Sequence, residues 1–323
     1  MSKPLINPAR FRAGRPPFRA WLKKTRYLLL GKEADKGLLF RVMIYLILID
    51  TAYIYLNPLF YMITSMVKNS ADLLDPSVRW IPREIFTGTL TDAWIHVRFP
   101  QAFTISLLLS TSVALLQTLS CAVAGYALAR LDIPFKSFWF FCLLLTFVVP
   151  PQVIILPNLI AASQIFHVMK TYYPIIVPAL FGHGLKGALF VIIYRQFFST
   201  QPKELEEAAR MDGAGVLRVF TRVMLPLARP AILVVFLFSF VWTWNDYYTP
   251  GMYMGGSKSL PLSLGITQIS AQLAAQAGES GPSLFDEPIK MAGAFLIILP
   301  PLVLYLFAQR WFIEGVERTG LVE

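Results

Sequence analysis

Six apolar stretches alternate with polar ones along the chain, at residues 38–65, 102–129, 138–160, 173–194, 230–249 and 291–307. A helix needs about 20 residues to cross the hydrocarbon of a bilayer, so each stretch can span. The third is interrupted by Pro150, Pro151 and Pro157, the fourth by Pro174 and Pro178. Such interruptions are tolerated in membranes because neighbouring helices satisfy the freed carbonyls. The pattern predicts an all-α polytopic membrane protein with six transmembrane helices over residues 38–323, preceded by a polar tail, 1–37. Neither an internal repeat nor a soluble domain boundary is visible.

The polar stretch 198–230 keeps a helical pattern. Glu204, Glu206 and Glu207 suit the positive end of a helix, and Pro202 suits its first turn. Leu205, Ala208 and Ala209 make one apolar stripe at helical spacing. Gly213 permits the left-handed backbone that ends a helix, and Asp212 can cap the next one. A second stripe, Leu217, Phe220 and Met224, runs to Pro226. The expectation is two short helices with a sharp turn between them. On periodicity alone, an ordinary amphipathic loop on the membrane surface fits equally well.

Composition supports the membrane reading. The chain is 56% hydrophobic and 15% charged, against about 25% charged in soluble domains. The net charge of +10 is decided by its location. The tail 1–37 carries Lys3, Arg10, Arg12, Arg15, Arg19, Lys23, Lys24, Arg26, Lys32 and Lys36 against Glu33 and Asp35. It has no short apolar core followed by a cleavage site, so it does not read as a signal peptide. It reads as a solvated tail obeying the positive-inside rule, with attraction to anionic lipid as the alternative. Nucleic acid is a poor partner beside a membrane span. With both termini inside, only Lys68, Arg79, Arg83, Arg98, Lys170, Lys186, Lys258 and Lys290 of the 29 lysines and arginines fall outside. That orientation places 198–230 in the cytoplasm.

Chemistry for catalysis is missing. Cys121 and Cys142 lie in apolar stretches, and His96, His167 and His183 are scattered without metal-ligand spacing. No phosphate-binding loop occurs; residues 255–259, Gly-Gly-Ser-Lys-Ser, lack its spacing and read as a turn. There is no nucleophile with a base and no readable carboxylate pair. The expectation is therefore no catalytic residue, no metal and no cofactor in this chain; any ATP and magnesium chemistry would have to belong to a separate subunit.

Polar groups inside spans are costly and often functional. Asp50 sits midway along the first stretch, suited to hydrogen bonding in a bundle or to transport. Residues 182–187, with three glycines and Lys186, suggest close helix approach. Trp242, Trp244, Asn245, Asp246 and Tyr247 end the fifth stretch. They suit either an interfacial aromatic belt or a sugar, whose faces stack on rings while its hydroxyls need polar partners. With Lys186 they are the candidate substrate pathway.

The run Glu207-Ala208-Ala209, then Asp212-Gly213-Ala214, then Leu225-Pro226, resembles the EAA loop of membrane permeases in ATP-binding-cassette importers. The resemblance is closest to the carbohydrate-uptake branch typified by the smaller maltose permease subunit. Trp244-Asn245-Asp246 and the ending 309–315 are similar to the same branch, so the likeness covers most of the chain after residue 37. It implies a type I ABC importer permease fold in a bacterial or archaeal cytoplasmic membrane. It also implies a coupling helix, whose ATPase contacts fall to Glu204, Glu207, Ala208, Ala209, Asp212, Gly213, Leu225 and Pro226. The implied partners are a cytoplasmic ATPase dimer, a second permease in a heterodimer, an extracytoplasmic substrate-binding protein and a sugar. The outer loop 251–288 is then expected near the binding protein, and the tail 309–323 near the ATPase. The alternative is a gradient-driven secondary transporter, for which only Asp50 speaks.

Overall fold

The structure, a computed structural model, describes residues 37–277, 283 and 286–320. The basic tail up to residue 36 and parts of the outer loop lie outside the described residues, and of the C-terminal tail little more than the backbone to Gly320 is described. Every regular element among the described residues is a helix. In order they are α1 (Leu38–Met66), α2 (Ser70–Leu74), α3 (Gly88–Val97), α4 (Phe99–Arg130), α5 (Lys136–Val148) and α6 (Pro151–Ile165). There follow α7 (Tyr173–Leu180), α8 (Gly187–Thr200), α9 (Glu204–Met211), α10 (Val216–Leu227), α11 (Arg229–Asn245), α12 (Tyr248–Tyr253), α13 (Gly265–Ala277) and α14 (Asp286–Gly320). The chain divides into two units at Tyr61 and Met62. In the first, α1 exposes nearly all of its apolar side chains up to Tyr61.

The second unit is built around α4. Among its buried positions, Ala102, Ser106, Leu109, Val113, Gln117, Cys121 and Gly125 recur every three or four residues, as one face of a helix requires. Several are small, which lets neighbouring backbones approach. A Cβ on Gly125 would lie 2.5 Å from Tyr194 Cβ and 2.9 Å from the Arg195 nitrogen, so only glycine fits where α4 crosses α8. Further along, α4 packs on α7 through Leu109, Val113 and Ala179.

Where the chain breaks, proline and glycine are the cause. Helices α5 and α6 meet at 96° across Val149 and Pro150, and α10 meets α11 at 78° across Ala228. Pro151 and Pro230 open the second helix of each pair, where a missing N–H is harmless. In α10 the segment Phe220–Met224 widens to a π turn and the Leu225 N–H donates to the Phe220 carbonyl. The turn lies just before Pro226, which has no N–H for the Arg222 carbonyl. Three helices are long and apolar enough to cross a membrane alone among the described residues: α1, α4 and residues Asp286–Phe307 of α14. Each bent pair counted as one span raises this to five. The expected span 173–194 is instead divided into α7 and α8. Gly182 (φ +70°) and Lys186 (φ +59°) turn the chain between them.

The outer segment expected as a loop folds further than the sequence suggested. Besides α12 it holds a 3-10 turn (Leu262–Leu264) and α13. Leu262, Ile269 and Leu273 are buried with Trp244 and Leu296 in one cluster. Gln272 holds α13 to α3, with its Oε1 2.5 Å from His96 Nδ1 and its Nε2 donating to the His96 carbonyl at 3.1 Å. The stretch 255–259 is indeed a turn, with Gly256 at φ +75°.

Candidate coupling loop and pathway site

Helix α9 carries three acids in its first turn and Arg210 in its last, both favourable to the helix dipole. It begins two residues after Pro202, with Lys203 as N-cap. Its end is a Schellman turn: Gly213 N–H donates to the Arg210 carbonyl and Ala214 N–H to that of Ala209, both at 3.0 Å. Gly213 supplies the φ of +78° the motif needs. Asp212 is the C-cap, and its side chain makes no cap for α10, whose N-cap is Gly215. The capping role expected for Asp212 is therefore not seen, because Gly213-Ala214-Gly215 puts three residues between it and the new helix.

The apolar stripes divide unexpectedly. Leu205, Ala208 and Met211 are exposed, Met211 at 88%, and Ala209 is half-buried. On α10, Leu217 is 75% exposed and Val216 also faces out, whereas Val219, Phe220 and Met224 are buried. Phe220 packs against Tyr126 and Phe198 at ring separations of 5.0 and 6.4 Å, fixing α10 to α4 and α8. Glu204, Glu207, Asp212 and Pro226 are exposed and Leu225 half-buried. A polar loop thus presents Leu205, Met211, Val216 and Leu217 outward while α10 is rooted in the core.

Helix α9 is anchored by a residue absent from the expected set. Glu206 is its one buried position. The Glu206 carboxylate lies 3.3 Å from Arg130 Nε at the end of α4, with side chains only 7% and 6% exposed. The Nε hydrogen is itself donated to the Phe198 carbonyl at 2.8 Å. The contact with Glu206 is therefore electrostatic, and Glu206 Oε1 has no aligned hydrogen bond. Arg130 Nη2 also donates to the Gln201 carbonyl. Carbonyls at a helix C-terminus lack internal partners and carry partial negative charge, so a guanidinium is a fitting cap for α8. Half-exposed Arg210 flanks the same carboxylate at 3.7 Å. The sequence hint was a lone arginine ending an apolar run and the middle one of three glutamates at 204, 206 and 207.

The pathway candidates do not converge. A cavity of about 190 Å³ opens beside the α7–α8 break, lined by Asn158, His183, Lys186, Thr243, Asp246 and Tyr253 among others. Lys186 and Asp246 therefore share it, but Trp242, Trp244, Asn245 and Tyr247 do not line it. Helix periodicity explains this: Thr243 and Asp246, three apart, share a face, and their neighbours point elsewhere. Trp244 is a core residue, 2% exposed, packed on Phe103 and Phe240. Its indole donates to the Ile297 carbonyl at 3.2 Å. Pro301, four residues on, has no N–H to take that carbonyl. Trp242 stacks between Phe190 and Phe238, while Asn245 and Tyr247 are exposed. Asp246 Oδ1 accepts from the N–H groups of Tyr248 and Thr249 at 3.0 Å, starting α12.

Gln117, which the sequence did not single out, organises the break. It is fully buried, donates to the Leu185 carbonyl at 2.9 Å and accepts from the Ser239 hydroxyl at 2.8 Å. A Cβ on Gly184 would meet its amide at 3.0 Å, so the glycines of 182–187 do serve close approach. Asp50 is exposed and has no hydrogen bond or ion pair among the described residues. Among those residues no cluster of His, Cys, Asp and Glu is placed to hold a metal.

Residues 121–318 match the family model for the binding-protein-dependent transport system inner membrane component. The chain belongs to this family. It is a multi-pass inner-membrane transport permease and not a catalytic enzyme. The sn-glycerol-3-phosphate transport system permease protein UgpE of Pectobacterium atrosepticum is 27% identical over 80% of this chain and 90% of its own. The arabinooligosaccharides transport system permease protein AraQ of Halalkalibacterium halodurans is 28% identical over 80% and 85%. A crystal structure of a bacterial ABC transporter involved in the import of the acidic polysaccharide alginate contains a chain of the same fold. It superposes with a TM-score of 0.72 at 20% identity, covering 87% of this permease and 98% of that chain.

Proposed function

We propose that this permease imports a sugar or sugar-like solute, driven by ATP hydrolysis on a separate cytoplasmic ATPase dimer. The observation that carries the reading is the α9–Gly213–α10 loop, with its apolar tip exposed and its root buried. Leu205, Met211, Val216 and Leu217 stand out among charged neighbours, as an apolar anchor in a polar docking rim does. Glu204, Glu207, Ala208, Ala209, Asp212 and Gly213 frame that tip, and Leu225 and Pro226 set how α10 passes into α11. In this reading both termini and α9 face the cytoplasm, and six spans cross the membrane with α7 and α8 acting as one broken span. Lys186 and Asp246, at the cavity beside that break, face the pathway. A second, different permease completes the pathway, and an extracytoplasmic binding protein delivers the solute. The substrates in the relatives' names, sn-glycerol-3-phosphate, arabinooligosaccharides and alginate, support a polyhydroxylated cargo. ATP binding moves the ATPase pair, α9 rides with one of them, and the bundle is biased between outward- and inward-open states.

Affinity purification of the tagged chain from its native membrane in mild detergent tests this. An ATP-hydrolysing subunit and a second permease should co-purify, and solute uptake into proteoliposomes of the complex should need ATP. Uptake that runs on an ion gradient, with no ATPase present, would establish a secondary transporter instead.

A further inference from the structure

Attachment of α9 to the rest of the permease is unusually sparse. Of its eight residues only Glu206 is buried and only Ala209 half-buried. The chain leaving it passes through Gly213 and Gly215, around which nothing lies within 4 Å of an added Cβ. Neither glycine has a side chain to pack, so the connection is held by the turn's two backbone hydrogen bonds and by half-buried Ala214. A displacement of α9 therefore passes inward at Glu206, whose carboxylate faces Arg130, and beside it at Ala209, packed on the buried cluster, and at Tyr126, which interacts with Glu206 and Arg210. From Arg130 it divides, because this residue ends α4 and also holds the Phe198 and Gln201 carbonyls that end α8.

Stability does not account for the pair. Burying two charges costs several kcal/mol per ion, and well-packed apolar side chains of similar volume often serve the fold equally or better. A charged contact without a directed hydrogen bond, flanked by a second arginine at 3.7 Å, can shift between partners as α9 moves. We propose that Arg130 and Glu206 are positioning residues that form the joint passing α9 motion to α4 and α8. The proposal rests on the reading of α9 as the ATPase-docking helix.

The test is amide hydrogen exchange on the purified transporter complex, with and without ATP plus vanadate. Unaltered protein should show nucleotide-dependent exchange both in residues 204–211 and in residues 190–201. The double variant Arg130→Met/Glu206→Met removes both charges together, so no buried charge is left unpaired. It should assemble, retain the change at 204–211, and lose at least fivefold of the change at 190–201. A purely structural pair predicts the opposite: the double variant recovers assembly and keeps the full response at 190–201, which overturns the joint. If the double variant fails to assemble, Glu206→Gln, nearly isosteric, decides by the same readout. A fivefold loss at 190–201 supports the joint, and an undiminished response overturns it. Unaltered complex in which nucleotide changes neither segment removes the docking reading, and the joint with it.

Discussion

Replacing Gly213 isolates one physical quantity, because space is not at issue there. No atom lies within 4 Å of an added Cβ, yet φ is +78°. Any side chain fits, and only the backbone resists. Left-handed backbone costs an L-residue about 1–2 kcal/mol, more for a β-branched one and less for Asn, whose short side chain tolerates that region. The turn is held by two backbone hydrogen bonds at 3.0 Å, each contributing about 1 kcal/mol net. Strain of about 1–2 kcal/mol is thus comparable with what holds the turn, and a large share of the molecules should leave it. Apparent affinity falls by the fraction still competent to bind. The expected order of ATPase affinity is Gly, then Asn nearly equal, then Ala up to about twofold weaker because about half of the molecules leave a turn whose roughly 2 kcal/mol is cancelled, then Val weakest. Binding of the purified ATPase subunit to the permease in nanodiscs reads this directly, and uptake by the reconstituted complex should follow the same order. If Asn is as damaging as Val, side-chain size matters and the backbone argument fails. If all four bind alike, the turn plays no part in docking.

Other positions give independent checks. Gly125→Leu should force α4 and α8 apart and cost about 1–3 kcal/mol or more of overpacking, read as a lower melting temperature in detergent; an unchanged melt would mean that the crossing is not close. Gln117→Leu strands the Leu185 carbonyl and the Ser239 hydroxyl, at about 1–3 kcal/mol for each buried group left unpaired; adding Ser239→Ala should restore part of the loss, and no restoration would argue against the bond. Lys186→Gln should leave the melting temperature unchanged because the side chain is exposed, while altering uptake; unaltered uptake would remove Lys186 from the pathway. Trp244→Phe should show the reverse, a stability loss from the orphaned Ile297 carbonyl with uptake reduced only as the fold weakens.

The sequence displayed the features that depend on local spacing. Apolar stretches marked the long helices α1 and α4 nearly to their ends, because an amphipathic or uniformly apolar run has a period or a length that can be counted. The α9–α10 turn was legible because its glycine requirement is local. The division of 173–194 was not, since its glycines could equally have packed inside a continuous helix. Trp244 shows the limit for sites: its neighbours in the chain made it look like a sugar platform, but its partner is a carbonyl 53 residues away. Glu206 and Arg130, 76 positions apart, were invisible for the same reason. Three glutamates within four residues do not disclose which one turns inward. Helix α13 was passed over because it lies inside a long connecting segment, although its alanines and glutamines favour a helix and Ile269 and Leu273 stood at helical spacing.

The most direct test of the account is the side and the partner of Met211, 88% exposed at the end of α9. Met211→Cys, in a chain whose Cys121 and Cys142 are replaced by Ala, is treated with a membrane-impermeant maleimide in sealed vesicles of each orientation. The account predicts labelling only where the cytoplasmic face is outward, and protection of that cysteine once the ATPase subunit is bound. Labelling from the extracytoplasmic side, or a rate that the ATPase leaves unchanged, would contradict it.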